Sequence, residues 1–106
     1  MEIIHEIRDG SLCLKVKGEL NINTSKEFEK VFLEKITEDC RKIIVDITEV
    51  NVLSSAGIRA LIVGAKEIKK QKGSLRIIIP NSGIVKEAVE VCGILSILDI
   101  RNSEDK

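Results

Sequence analysis

Apolar and polar side chains alternate near the amino terminus of the chain. In the segment Ser11–Lys17 every second residue is aliphatic, and this period of two predicts a strand with one face on a core and the other nearer to water. The preceding segment Glu2–Arg8 is separated from it by Asp9-Gly10, which is a strong hairpin-turn signal. The chain is therefore predicted to begin with two antiparallel strands, the second of which ends at Gly18.

A helical pattern follows a polar loop at residues 19–23. Thr24 and Glu27 have the spacing of a capping box, in which both side chains satisfy free N–H groups at a helix start. A helix is therefore predicted to begin near Ser25 and to end around Glu38. Its apolar residues recur at helical spacing and predict a buried stripe of Phe28, Val31, Phe32 and Ile36.

The segment 42–70 carries the clearest pattern of the chain. The run Ile43–Ile47 is apolar except for Asp46, as expected of a central strand that is buried on both faces. A cluster of small residues at 54–57 follows. Apolar residues at steps of three and four then predict a helix from Ala56 to Gln71, with Gly73 as its C-terminal stop.

Two or three further elements complete the pattern. The run Leu75–Ile79 predicts another buried strand, closed by Pro80. Ser82 is a candidate cap for a third helix that ends at Gly93, with its inward face formed by Val85, Ala88, Val89 and Cys92. The apolar tail Ile94–Ile100 is compatible with a short last strand or with contact to a second copy, and residues 102–106 are expected to fray.

The order of these elements predicts an α/β fold. Strand, strand, helix, strand, helix, strand, helix and a short last strand give a mixed sheet of four to five strands packed with three main helices, because the first connection is a hairpin and the later ones are crossovers. The length of 106 residues fits one domain spanning 1–106. An apolar fraction of 43% allows a core without disulfides or metals.

Charge and composition exclude several classes of function. Seventeen basic residues balance 17 acidic ones, which argues against direct nucleic-acid binding because such proteins carry a basic face. No apolar run approaches the length of a membrane span, and the first residues lack the pattern of a signal peptide, so a cytoplasmic protein is expected. Neither a disulfide framework nor a zinc motif is formed by the three cysteines, which are predicted to be buried thiols: Cys13, Cys40 and Cys92.

The chain lacks a recognisable catalytic constellation. His5 is the only histidine and lies on a predicted edge strand, without a visible nucleophile partner. The glycine-rich phosphate-binding motifs are absent. Asp46, near the end of a buried strand, is interpreted as a carboxylate bonded to nearby loop or helix N–H groups. We therefore expect no catalytic residue, no bound metal and no cofactor, although a small enzyme using Asp46 or the serines is one alternative.

The hydroxyls of Ser54 and Ser55 stand at the predicted start of the second helix. A hydroxyl there is either a plain cap or a site that tolerates a phosphate, because a helix start has free N–H groups and a partial positive charge. Gly57 in the first helical turn costs about 1 kcal/mol against alanine. Ala56 and Gly57 are predicted to leave this surface bare, so that another protein could approach the hydroxyls.

The sequence resembles the anti-sigma factor antagonists of the STAS domain family. The resemblance spans Met1 to about Ile100 and depends on two motifs, the loop Gly18-Glu19-Leu20-Asn21 and the block from Ile44 to Ile58 with its Ser54-Ser55-Ala56-Gly57 core. Many family members carry an aspartate at the positions of Ser54 and Asn21. Either motif alone is modest, and both together at this separation are specific.

The resemblance implies a binding switch without catalysis of its own. The unmodified protein would bind an anti-sigma factor that is also a serine kinase, and would thereby release the sigma factor. Phosphorylation of the matching acceptor, Ser55, would end that binding, and a phosphatase would restore it. The partner-binding surface would comprise Asn21, Ser54, Ser55, Ala56, Gly57 and Arg59. The alternative is a module of the same fold that senses a ligand or binds proteins without phosphorylation. The oligomeric state is left open.

Overall fold

Within the part of the chain that the structure describes, five strands and three helices follow one another in the predicted order. The computed structural model describes residues 1–8, 10–37, 42–91 and 99–102. The strands are β1 (Glu2–Arg8), β2 (Ser11–Leu20), β3 (Lys42–Leu53), β4 (Ser74–Ile79) and β5 (Asp99–Asn102). The helices are α1 (Ser25–Lys35), α2 (Ser55–Lys70) and α3 (Ile84–Val91). The predicted α/β fold with a mixed sheet is confirmed.

The strands lie in the sheet in the order in which they occur along the chain. β1 pairs with β2 antiparallel, and every later pair is parallel. Each crossover therefore moves the chain one strand further in the same direction. Because such crossovers are right-handed, all three helices lie on the same face of the sheet.

The core lies between that face and the helices. Alternate residues of β2, β3 and β4 join residues of all three helices in one apolar cluster that includes Leu14, Val45, Ile77, Phe32, Leu61 and Val89. The Phe28 and Phe32 rings are 5.4 Å apart and tilted by 46°. Gly64 of α2 lies directly against Phe32, whose ring a Cβ at that glycine would overlap. The absence of a side chain at Gly64 thus allows α1 and α2 to approach closely.

Several predicted boundaries are wrong. β2 continues past Gly18 to Leu20, and β3 continues to Leu53. Asp46 therefore lies in the interior of β3 and not near its end. Two irregularities in the β2–β3 register accompany this extension, because bulges allow two strands to stay paired over a longer and more twisted path. α1 ends at Lys35, since Ile36 has an extended backbone.

The predicted helix caps at Thr24 and Ser82 are also wrong. The Thr24 hydroxyl makes no cap bond to α1. It donates to the Glu19 carbonyl at 2.8 Å and accepts from the Asn21 N–H at 2.9 Å, so it closes the preceding loop instead. Before α3 the carbonyl of Gly83, and not Ser82, accepts the first helical bond, from Glu87 N–H at 3.1 Å.

The C-terminal end of α2 differs from the prediction by one residue. Lys72 has the left-handed backbone with φ of +60°. The Gly73 N–H then donates to the Ile68 carbonyl at 2.8 Å, a bond typical of the motif that closes helices with a left-handed residue. The stop therefore depends on Lys72 adopting a conformation that glycine adopts more readily.

The predictions for the cysteines, His5 and the C-terminal segment can be checked where the structure describes these residues. Cys13 is buried, as predicted, while Cys40 and Cys92 lie outside the described residues. His5 is exposed on β1, an outer strand, as predicted. The short last strand is confirmed as β5, so Asn102 pairs with Ile79 and the prediction that it frays is wrong. Residues 92–98 and 103–106 lie outside the described residues.

Candidate functional site

The two motif segments of the sequence meet at the carbonyl of Leu20. The Ser54 N–H donates to the Leu20 carbonyl oxygen at 3.0 Å, and the Ser54 hydroxyl donates to the same oxygen at 3.3 Å. Leu20 and Ser54 are 34 residues apart in the chain. Leu20 also pairs with Leu53 as the last rung between β2 and β3. The end of the hairpin thus holds the start of α2 in position.

Ser54 is the N-cap of α2. Its hydroxyl oxygen accepts from the Gly57 N–H at 3.3 Å, and its carbonyl accepts the first helical bond, from Ile58 N–H at 3.0 Å. The backbone at Ser54 is extended, with φ of −89° and ψ of 172°, as is usual for a cap. The Ser54 hydroxyl is therefore hydrogen-bonded within the protein, and its role is to hold the first turn of α2 in place.

Ser55 is the first residue of α2 and is exposed. None of the described residues forms a hydrogen bond with its hydroxyl. The first turn of α2 contains no acidic side chain, so no carboxylate there neutralises the partial positive charge of the helix start. The hydroxyl is thus within reach of another molecule and lies where an added anion is stabilised.

Gly57 has a structural role that differs from the predicted one. It is buried, and a Cβ at this position would lie 2.7 Å from the Leu20 carbonyl oxygen and 3.0 Å from Leu53 Cδ1. The prediction that Gly57 leaves bare surface for a partner is wrong. Its missing side chain faces the protein interior, where it allows α2 to begin against the ends of β2 and β3.

Asn21 organises the loop between β2 and α1. Its Oδ1 accepts from the backbone N–H groups of Asn23 at 2.9 Å and Thr24 at 3.2 Å, and its Nδ2 donates to Glu19 Oε2 at 3.1 Å. An aspartate could accept the two backbone bonds but could not donate to a carboxylate. Asn21 and Glu19 are therefore a matched pair, and the half-buried Asn21 side chain is largely engaged within its own loop.

A groove of about 540 Å³ lies between the first turns of α1 and α2. Three of the predicted partner-binding residues line it: Ser55, Ala56 and Arg59. The other three, which are Asn21, Ser54 and Gly57, lie outside its lining. Sequence reasoning missed the remaining lining residues, Ile22, Ser25, Lys26, Glu29, Ala60 and Val63. The site therefore comprises both helices and not only the start of α2.

Ile22 is the most conspicuous of the missed residues. Its side chain is 72% exposed although it is a large aliphatic one. A lone isoleucine between two asparagines in a polar loop was the available signal, because exposed aliphatic residues next to a groove often mark an interaction site. Ile22 lines the groove together with Ser55 and Ala56 of α2.

The ionisable groups of the groove are Lys26, Glu29 and Arg59. Among the described residues neither Lys26 nor Arg59 forms an ion pair. The groove thus carries one more positive than negative side chain. The described residues contain no group of histidine, cysteine and carboxylate side chains that could hold a metal.

Charged groups elsewhere are engaged in the sheet. Lys15 Nζ lies 3.0 Å from Glu49 Oε2 on the face opposite the helices. The hydrogen bond from Lys15 holds the pKa of Glu49 below its usual value, and the same contact raises the pKa of Lys15. Asp46, which is 1% exposed, accepts from Thr48 N–H at 2.9 Å and Thr48 Oγ1 at 2.6 Å. These two bonds lie within its own strand, at an irregularity of the β2–β3 register.

None of the helices in the described part of the chain combines the length and the apolar character that a bilayer span requires. The longest of them is α2, with 16 residues, whereas a span takes about 20 predominantly apolar residues.

Comparison with known proteins gives consistent results. The sequence profile of the STAS domain matches residues 2–106. BtrV of Bordetella bronchiseptica, whose name designates a candidate anti-sigma factor antagonist, is 26% identical over 105 residues, covering 99% of this chain and 90% of that protein.

Solved structures show the same fold. A candidate anti-sigma factor antagonist from Thermotoga maritima superposes with a TM-score of 0.84 at 24% identity, covering 95% of this chain and 86% of that one. The Bacillus cell fate determinant SpoIIAA in its phosphorylated form superposes with a TM-score of 0.67 at 15% identity, covering 98% of this chain and 95% of that one.

Proposed function

The chain belongs to the STAS domain family, and on that premise we propose that it is a cytoplasmic anti-sigma factor antagonist controlled by phosphorylation of Ser55. The unmodified form binds an anti-sigma factor that is also a serine kinase and so releases the sigma factor. The kinase transfers the γ-phosphoryl group of ATP to the Ser55 oxygen, with loss of the hydroxyl proton and release of ADP. A phosphatase hydrolyses the ester and restores binding.

The observation that carries this proposal is the accessible hydroxyl of Ser55 at the start of α2. Of the two adjacent serines, Ser54 is committed to Leu20 and Gly57, whereas Ser55 is exposed and its hydroxyl is unbonded among the described residues. Modification at Ser54 would disrupt the helix cap. Modification at Ser55 leaves the cap intact, which favours Ser55 as the acceptor.

The docking surface in this proposal is the groove together with its rim. Ser55, Ala56 and Arg59 provide the α2 side and Ile22 provides an exposed apolar contact on the other side. Asn21, Ser54 and Gly57 contribute indirectly, because they hold the loop and the helix start in place. The docking surface therefore combines the first turns of a helix with a loop that is held by its own hydrogen bonds.

Phosphorylation can act as a switch without any change of fold. A phosphoserine adds roughly −1.5 to −2 charges at neutral pH. In an interface that accommodates a neutral hydroxyl, this group adds bulk and a desolvation cost. A hundredfold loss of affinity requires only about 2.7 kcal/mol. Local electrostatics at the Ser55 side chain are sufficient for that loss.

The test is incubation of the protein with its cognate anti-sigma kinase and ATP, followed by mass spectrometry to locate the phosphate. We expect one phosphate, on Ser55. Replacement S55A should abolish modification and retain binding, and S55D should weaken binding. The matched control is S82A, because Ser82 is also exposed and precedes a helix. Phosphate at another residue, or unchanged binding after stoichiometric modification of Ser55, would disprove the switch.

The groove also favours a second candidate function, a ligand-sensing STAS module without phosphorylation. Its volume of about 540 Å³ lies in the range of small-molecule sites. The same kinase experiment separates the two functions, because a sensing module would bind its partner equally well before and after incubation with kinase and ATP.

A further inference from the structure

Two helices begin at the same groove. Ser25 is the first residue of α1 and Ser55 is the first residue of α2, and both line the groove. The start of α2 presents free N–H groups and a partial positive charge, with no acidic side chain in its first turn. At the start of α1 the Ser25 N–H donates to the Asn21 carbonyl oxygen at 2.8 Å, and Glu27 lies in the first turn. The start of α2 therefore favours an anion in the groove, whereas α1 contributes through the side chains that line it.

Ser25 provides a second polar group at this cavity. The residue is only 6% exposed, and its hydroxyl has no hydrogen-bond partner among the described residues. Its oxygen is not among the completely enclosed side-chain atoms that lack a partner, so water or a ligand atom can still reach it. The little exposure that Ser25 retains is towards the groove that it lines. The groove therefore contains a donor that is available to an incoming oxygen.

Two cations flank this position, one from each helix. Arg59 lies four residues after Ser55 on α2, so both occupy the same helical face. Lys26 follows Ser25 on α1 and lines the same groove. Neither cation is paired with a carboxylate among the described residues. Glu29 is the one acidic residue in the described lining, and it does not neutralise both cations.

We propose that the phosphoryl group carried by Ser55 folds back into this groove and is bound there by Arg59, Lys26 and the Ser25 hydroxyl. This inference rests on the proposed function, because it concerns the same serine. Guanidinium and ammonium groups form their strongest hydrogen bonds with phosphate oxygens. The modified protein thus covers its own docking groove, and the phosphatase must first withdraw the ester from it.

The experiment places phosphoserine at position 55 during translation, through an expanded genetic code, so that no kinase is needed. The probe is ³¹P NMR of the full chain as a function of pH. We expect the second phosphate pKa to lie about half a unit below the usual value near 6. Substitutions R59Q and K26Q should each raise it, because they remove a nearby positive charge. Substitution S25A should reduce the depression by removing one donor.

Matched controls separate binding in the groove from a general effect of charge. Lys66 on α2 and Lys30 on α1 are exposed and lie outside the described lining, so K66Q and K30Q should leave the phosphate pKa unchanged. Circular dichroism of S25A checks that this buried position still permits folding. Lys26 and Arg59 are exposed, and their variants should fold in any case.

An equal phosphate pKa in the R59Q, K26Q and unsubstituted proteins would overturn the inference, since the ester would then lie in solvent. An equal response to the two control substitutions would overturn it too. The two failures can be distinguished. If the kinase does not modify Ser55, the phosphorylation switch is disproved, while the pKa of the introduced phosphoserine still tests phosphate binding in the groove. Conversely, if the kinase modifies Ser55 but the phosphate pKa is unperturbed, only the binding of the phosphoryl group in the groove is disproved.

Discussion

The Ser54 N–H and hydroxyl groups both donate to the carbonyl oxygen of Leu20, at 3.0 and 3.3 Å. This double contact joins the end of β2 to the start of α2 and places Ser55 at the surface. The loop motif that contains Leu20 and the serine motif that contains Ser54 are therefore in direct contact, and each holds the other in place.

Removing the Ser54 hydroxyl should destabilise the protein. Substitution S54A removes the cap of Gly57 N–H and the bond to Leu20, and we expect a loss of about 1 kcal/mol in the free energy of unfolding. Urea denaturation measures this loss. The control S82A removes an exposed serine that caps no helix among the described residues. Its free energy of unfolding should lie within about 0.5 kcal/mol of that of the unsubstituted protein. Equal effects of the two substitutions would contradict the capping role.

Substitution G57A separates helix propensity from close packing by the sign of its effect. Propensity alone predicts a gain of about 1 kcal/mol when alanine replaces glycine inside a helix. The close approach of a Cβ to the Leu20 carbonyl and to Leu53 predicts instead a loss of about 1–3 kcal/mol from overpacking. Thermal or urea unfolding decides, and a stabilised G57A protein would refute the packing argument.

Replacing Ile22 by serine should weaken binding to the anti-sigma partner without loss of stability. Ile22 is 72% exposed, so truncation removes little intramolecular packing, whereas an aliphatic side chain buried in an interface contributes about 1.5–3 kcal/mol. Isothermal titration calorimetry with the partner measures the affinity. We expect the affinity to fall tenfold or more, because each loss of about 1.4 kcal/mol in binding free energy lowers it tenfold. Ile84, which is equally exposed at 72%, supplies the control I84S. Equal affinities of the two variants would exclude Ile22 from the interface.

The pair Lys15–Glu49 should give the stability a dependence on pH that E49Q removes. The pKa of Glu49 is lowered in the folded protein by its hydrogen bond with Lys15. The contribution of the Glu49 carboxylate to the free energy of unfolding is therefore present above the usual glutamate pKa of about 4.3. It is lost as the pH falls through the lower pKa of the folded state.

At alkaline pH the raised pKa of Lys15 acts in the opposite direction. Its contribution is complete below the usual lysine pKa of about 10.4 and is lost as the pH rises through the folded value. Urea midpoints at low salt across both ranges are the measurement. The control E34Q changes a carboxylate that pairs with no cation among the described residues, and the same pH profile for both variants would contradict the pairing. Because Glu49 is exposed and Lys15 is only half-buried, added salt should weaken the effect.

Glycine at position 72 should stabilise the end of α2. Lys72 has φ of +60°, a conformation that costs a residue with a Cβ about 1 kcal/mol relative to glycine. We expect K72G to raise the free energy of unfolding by about 0.5–1 kcal/mol. The change K66G, at an exposed position in the interior of α2, should lower it by about 1 kcal/mol. A destabilised K72G protein would contradict the role of Lys72 as the left-handed residue.

Local periodicity determined the element order and the location of the candidate serine. The alternation in β2 and the helical spacing in α2 depend on neighbouring residues, so they can be recognised without knowledge of the fold. The Ser54-Ser55 pair could be placed at a helix start for the same reason, because a helix start depends on the local spacing of polar and apolar residues. The hairpin and the two crossovers likewise required a mixed sheet before any coordinates were known.

Contacts between distant segments were decided only by the tertiary structure. Whether Gly57 faces a partner or Leu20, and whether Thr24 caps α1 or closes a loop, depends on what lies opposite each residue. The same holds for the groove, where Ile22 and Ser25 of one segment meet Ser55 and Arg59 of another. Spacing along a chain reports the face of an element on which a side chain lies. It does not report which other element packs there, because that is set by the closure of the whole core.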